Sequence, residues 1–407
     1  MFGAMLGAGG CGPREHALEP GSYRAVLTSS GGELPFGLDV AREESGYVLY
    51  VINGPERIRV PEVQTADGRV HARMPGYDTT LDARIGRGGR LEGHMTMLRP
   101  GGKRQSLPFV ATLGQTWRFF EDPPTDNADV SGRWAVQITT DDGAKLACVA
   151  EFSQSFAQVD GTLLTPFGDA RFLSGEVHGD KLYLSRFDGG NAHLYRASID
   201  EDGTLQGETW GDTIGHYRWT AQRDPDAALE LASAVTGAND TDAALEFAVP
   251  DLEGRTVTHL DPRFVGKVVI VTVSGSWCPN CHDEAVVLND LYAAYHDRGL
   301  EIVSLMFEYH DDPALARSAV LRFRDKYRIQ YPLLLAGTTD EDSLARTLPQ
   351  MHGIYAYPTT LILDRRGHVR RVDSGFAGPA TGARYDNLRF DLSRFVEALL
   401  SEPAPAT

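Results

Sequence analysis

Cysteine is scarce in this chain: four stand in 407 residues, at positions 11, 148, 278 and 281. So thin a supply excludes a disulfide-stapled scaffold, and a chain of this length must be held by apolar cores in two or three domains. Long apolar runs are missing as well, none approaching the roughly 20 residues that a membrane-spanning helix needs. Positive charge is in deficit, with 39 Lys and Arg against 56 Asp and Glu and a net charge of -17. That balance repels nucleic acid and anionic membrane surfaces, so no nucleic-acid partner is expected. There is no second Cys-x-x-Cys, and residues 20–222 hold no cluster of His, Asp or Glu at ligand spacing, so neither a metal nor another cofactor is expected.

What is present is concentrated in Trp277-Cys278-Pro279-Asn280-Cys281. The run from Lys267 to Val273 before it reads as a buried strand. Ala285, Leu288, Leu291, Tyr292 and Tyr295 after it fall at helical spacing. A Cys-x-x-Cys in that strand-to-helix turn puts the first sulfur over the free N–H groups and positive end of the helix, which stabilise a thiolate. Cys278 is therefore the expected nucleophile. Cys281, one turn on, is placed to close a short disulfide with it. Three other readings compete. Half a zinc site would need two more ligands, and Cys11 and Cys148 stand alone. With His282 the stretch also spells Cys-x-x-Cys-His, the c-type haem attachment string, though a haem pocket does not usually begin on a buried strand of this kind. An inert structural disulfide would close so small a ring that little chain entropy is removed.

The remaining C-terminal sequence alternates strands and helices, the pattern of an α/β sheet with parallel crossovers. A strand is predicted over Leu300–Phe307, a helix from about Pro313 to Tyr327, and a strand over Tyr331–Leu335. Another strand follows over Tyr355–Asp364, entered through Pro358. A hairpin turns at Asp364–Gly367 into His368–Val372, and a last amphipathic helix runs from Phe390 to Leu400. Ser276 to Cys281, Tyr357-Pro358-Thr359-Thr360 and Gly375-Phe376-Ala377-Gly378-Pro379 together resemble the thioredoxin superfamily, within it the TlpA/ResA group of membrane-tethered, extracytoplasmic thiol-disulfide oxidoreductases. The likeness covers about residues 244 to 402. It implies a cis Pro358 beside the Cys pair, and backbone pairing of Tyr357 with an extended substrate segment, with Trp277 and Pro279 also facing the substrate. It implies protein thiol or disulfide substrates and an upstream electron donor. Thioredoxin keeps a buried Asp six residues before the first Cys, where this chain has Thr272. The resemblance to ResA points instead to Glu308, just past a strand, as general base for Cys281.

Residues 20–222 read differently: short alternating segments punctuated by Gly-Gly and Asp-Gly turns, an all-β region. Arg24–Ser29 recurs as Trp134–Thr139 and Ile85–Gly93 as Ile199–Gly207, a shift of roughly 110 to 114. Two copies of one β barrel or sandwich unit are expected, over 20–120 and 132–222. A linker over 223–243 joins them to the thioredoxin-like domain at 244–402. Cys148 falls on a predicted strand face with Leu146 and Phe152 and reads as a small core residue. Residues 1–19 form a tail in which Gly9-Gly10-Cys11-Gly12 resembles the end of a bacterial lipoprotein signal, with Cys11 the lipid anchor at a cell-envelope membrane. Three functions are thereby open: an extracytoplasmic oxidoreductase, acting as a reductase; a peroxiredoxin-like peroxide reductase, whose required Thr or Ser three residues before the Cys is here Gly275; and a lipid-anchored β-domain binding protein with an auxiliary thioredoxin-like module.

Overall fold

The computed structural model describes residues 17–140, 143–211, 215–229, 245–352 and 356–403, and the backbone of 237–238. Glycine and Asx turns set the pace of the N-terminal part, which is built entirely of antiparallel strands. The first sheet contains β1 (Gly21–Ser29), β2 (Gly32–Glu43), β3 (Gly46–Asn53), β4 (Glu56–Val60), β5 (Glu62–Ala66), β6 (Arg69–Arg73), β7 (Thr79–Ile85), β8 (Leu91–Arg99) and β9 (Lys103–Leu113). Its first and last strands pair with each other, so the meander curls round until β4 and β5 form the two edges. Pro61 alone separates those edges and offers no N–H to continue the ladder.

The second sheet repeats the plan with β10 (Gly132–Thr139), β11 (Lys145–Ser155), β12 (Gln158–Thr165), β13 (Gly168–Asp169), β14 (Leu173–His178), β15 (Lys181–Phe187), β16 (Ala192–Ile199), β17 (Leu205–Gly211) and β18 (Gly215–Arg223). Here β10 pairs with β18, and β11 with β12, which closes the ring. Each barrel is centred on an apolar cluster, and that of the first extends to Phe187, Ala192 and Leu194 of the second. The repeat is visible at one side chain in particular. Tyr23 in β1 donates its hydroxyl to Glu19 O at 2.7 Å, and Trp134 in β10 donates Nε1 to Val130 O at 2.9 Å, each to a carbonyl four residues back. Tyr23, not Arg24, is thus the counterpart of Trp134. The one-residue correction matters because neighbouring strand residues face opposite sides.

A short strand, β19 (Gly237–Ala238), and the hairpin of β20 (Ala248–Pro250) and β21 (Thr256–Thr258) lead into the C-terminal sheet. That sheet is formed by β22 (Val268–Ser274), β23 (Leu300–Glu308), β24 (Leu333–Thr338), β26 (Thr359–Leu363) and β27 (Val369–Ser374), in the order β24-β23-β22-β26-β27; β25 (Met351–His352) pairs with β19. Strands β22, β23 and β24 are parallel to one another and β26 and β27 antiparallel. Every residue of β22 and β23 is buried because both faces are covered. Val268 and Ile270 meet α1 (Pro279–Tyr295), α2 (Pro313–Tyr327) and α4 (Ala383–Ser401) on one face. Val269, Val271 and Val273 meet Leu245, Phe247 and Phe264 on the other.

Three sequence expectations shift. The strand expected over Tyr331–Leu335 lies at Leu333–Thr338, and that over Tyr355–Asp364 shortens to Thr359–Leu363. The last helix begins at Ala383, seven residues before Phe390, and Tyr385 and Leu388 of its first two turns already pack on the core at helical spacing from Leu392. A short helix, α3 (Glu341–Thr347), was not expected; Asp340 caps it by accepting the Ser343 N–H.

Candidate active site

The chain leaves the buried strand β22 through Gly275, Ser276 and Trp277 and turns directly into α1, with Cys278 as the capping residue (φ -90°, ψ 117°). Its Sγ accepts the Cys281 N–H at 3.2 Å. Pro279 fills the first helical position, where a missing N–H costs nothing, and the donor on the sulfur is the third helical residue, the usual partner of a capping side chain. The same sulfur lies 3.2 Å from Tyr357 O, the thiol donating. The Tyr357–Pro358 bond is cis. The ring of Trp277 stacks on Tyr309 at 4.3 Å, meets Tyr357 edge-on at 5.0 Å and donates Nε1 to Phe307 O at 2.8 Å. Cys278, Cys281, Pro279, Trp277, Tyr357 and Pro358 therefore converge on one spot, with the two cysteines as free thiols. They are unequal in setting. Cys281, 1% exposed, is pushed well above the usual thiol value, first by burial and then by the hydrogen bond and charge of Cys278, with Glu284 adding to it.

Two buried acids stand near the pair. Glu308, at the end of β23, accepts the Ser276 N–H at 2.9 Å and the Ser276 hydroxyl at 2.6 Å, one on each oxygen. Burial pushes it up to about 7. Its contacts secure the turn before Cys278; they do not reach Cys281. Glu284 is the acid on the Cys281 side. It sits three residues further along α1, on the same helix face. One oxygen accepts from Thr272 at 2.8 Å and the other from the Thr360 hydroxyl. Burial raises it to about 7, against the pull of those two hydrogen bonds. Thr272, which sequence comparison marked as a vacancy for a proton acceptor, thus serves to hold an acid delivered from the helix.

Against known proteins, residues 241–372 match the AhpC/TSA family. The chain is similar to thiol-disulfide oxidoreductase ResA of Geobacillus thermodenitrificans, 29% identical over 132 residues that make up 32% of this chain and 67% of the relative. It is also similar to ResA of Bacillus thuringiensis subsp. konkukian, 29% identical over 126 residues, 31% of this chain and 64% of the relative. The C-terminal region is ResA-like. The chain spans about two thirds of the length of these curated relatives, and the barrels lie outside the matched segment. A solved thiol:disulfide interchange protein of the thioredoxin family from Chlorobium tepidum TLS aligns with 39% of this chain and 95% of its own, at 20% identity and a TM-score of 0.29.

The barrels reach the ResA-like domain at the dithiol turn. Asn280 donates its amide to Asp169 O and Oδ1, at 3.2 and 3.0 Å, and to Phe376 O at 2.8 Å. Arg171 donates to Pro279 O at 2.9 Å. Nothing in the sequence joined positions 169 and 280, more than a hundred residues apart. Glu284 did carry a local signal, its spacing of three from Cys281. Cys148 is buried in the second barrel, and burial pushes its thiol up to about 12. It is remote in role from the dithiol. Cys11 lies outside the described residues.

Proposed function

We propose that this protein is a thiol-disulfide oxidoreductase of the cell envelope that reduces protein disulfides through Cys278 and Cys281. The observation that carries the reading is the position of Cys278 Sγ, on the capping residue of α1, between the Cys281 N–H and the carbonyl of Tyr357. The similarity to ResA, a thiol-disulfide oxidoreductase, supports it. In the reducing direction the Cys278 thiolate attacks one sulfur of a substrate disulfide, forming a mixed disulfide and expelling the other sulfur as thiolate. Cys281 then loses its proton and attacks Cys278. The Cys278–Cys281 disulfide forms, the second substrate thiolate leaves, and two electrons have passed from enzyme to substrate. An upstream electron donor must return them. The proton of Cys281 goes to Glu284, which is buried on its side of the turn, whereas Glu308 keeps Ser276 and the turn in place. Tyr357 and Pro358 bound the path of the substrate segment, and Trp277 forms its wall.

Full-length protein supplied with dithiothreitol is expected to reduce insulin disulfides, and Cys278→Ser to lose that activity entirely. Activity that survives the substitution would reject the reading. For attachment, a lipid on Cys11 fits the envelope location of this reading, and among the described residues no helix is long and apolar enough to cross a membrane. Expressed in a bacterium, the chain is expected in the membrane fraction, and Cys11→Ser in the soluble one; equal partition of the two would remove the anchor.

A further inference from the structure

The second barrel lies against the dithiol turn, through Asp169 and Arg171 on Asn280 and Pro279. At its contact with the ResA-like domain, the Asp169 N–H donates to Phe376 O at 3.3 Å, and Gly378 N donates back to Asp169 Oδ1 at 2.8 Å. A short segment of the chain's own barrel is therefore docked on the loop beside the Cys pair, by one backbone–backbone bond and one bond to the Asp169 carboxylate. Asn280, between the two cysteines, spends its amide on the same Asp169. Arg171 ties the neighbouring Pro279 O and pairs with Asp283 at 2.9 Å and, across to the first barrel, with Glu56 at 2.6 Å. The fit is close. A Cβ on Gly168 would stand 2.7 Å from Asn280 Nδ2, and Gly168 holds φ at +131°, which a side chain would also disfavour. On the opposite flank Tyr77 of the first barrel stacks on His282 at 4.1 Å. Beside these contacts Cys278 is 3% exposed.

Exchange requires a substrate sulfur to come to bonding distance of Cys278, roughly 2 Å. The loop that Gly168 and Asp169 cover borders the Tyr357–Pro358 edge of the substrate path, because Gly375 donates its N–H to Pro358 O at 2.8 Å. The contacts that hold the cover are hydrogen bonds and ion pairs, groups that water can satisfy when the surfaces part, and such polar contacts between domains are the kind that open. Resting on the function proposed above, we propose that the Gly168–Arg171 segment is a built-in cover of the dithiol, which occupies the docking surface of a protein substrate and has to lift before protein disulfides can react.

The test uses the full chain carrying Cys11→Ser and Cys148→Ala in every form, so that the dithiol supplies the only thiols. Asp169→Ala removes the docked carboxylate. Gly168→Ala wedges the turn away from Asn280 without leaving a buried charge unpaired, and so decides the matter if the first variant folds poorly. Loss of the two hydrogen bonds that the Asp169 carboxylate accepts across the contact corresponds to about tenfold or more in the open population. Iodoacetamide labelling of Cys278 and reduction of insulin disulfides are both expected to accelerate by about that factor. Folded variants that label or turn over no faster than the parent overturn the cover, as does faster labelling without faster insulin reduction. If parent and variants alike fail to exchange with a small aromatic disulfide, the redox reading falls, and the labelling rates still decide whether the segment covers Cys278.

Discussion

Glu284 and Glu308 are both buried carboxyls pushed up to about 7, yet they face different partners. Each accepts on both oxygens, Glu284 from Thr272 and Thr360 and Glu308 from Ser276, and it is the charge of Glu284 that bears on Cys281. Glu284→Gln keeps the shape and removes the titration. Resolution of a mixed disulfide by Cys281 is expected to slow about a hundredfold near neutral pH. Glu308→Gln should slow it far less; the reverse order, measured by stopped-flow exchange, would return the role to Glu308. Stability follows from the same shift. With folded values above the unfolded 4.5, the native state retains protons that the unfolded chain releases, so stability falls as pH rises from about 4.5 through 7. Each acid contributes up to roughly 3 kcal/mol of that loss. Urea midpoints at pH 5 and pH 8 should therefore draw closer in Glu284→Gln, and an unchanged gap would show that Glu284 does not titrate there. The two thiols were legible because they lie within one turn of sequence. Glu284 was not, because its meaning arises when β22 and β26 bring Thr272 and Thr360 to it.

Elements with an apolar period were legible almost to their ends: α2 was expected from Pro313 to Tyr327 and runs so. A helix defined by its cap, α3, was not, and α4 starts earlier than expected, with Tyr385 and Leu388 on its apolar face. In the barrels the turns announced the repeat, but the face of each residue depends on register, and Tyr23 rather than Arg24 occupies the place of Trp134. Both aromatic rings pin the first strand of their barrel to the segment that enters it. Tyr23→Phe keeps the ring buried and leaves Glu19 O to water, so the loss is expected to be about 1 kcal/mol. Thermal unfolding should show the first barrel melting a few degrees lower. A loss several times larger would mean that the ring itself had repacked.

At the scale of the whole molecule, three bodies meet at one helix start. The second barrel holds Pro279 and Asn280, the first stacks Tyr77 on His282, and Arg171 joins Glu56 of one barrel to Asp283 of α1. None of this was legible, since charged residues far apart in sequence carry no sign of the partner that folding gives them. If the cover proposed above lifts for substrate, the barrels take part in the working of the dithiol. All of it depends on Cys278 and Cys281 exchanging electrons as a pair. The most direct measurement is equilibration of the full-length protein in glutathione buffers of graded ratio, acid quenching, alkylation of the remaining thiols, and mass spectrometry of the peptides. A single transition in which Cys278 and Cys281 pass together from two alkylated thiols to one mutual disulfide, with Cys148 alkylated only after denaturation and never paired, is the predicted result. Persistence of both as thiols across the whole range, or pairing of either with Cys148 or Cys11 in its place, would contradict the account.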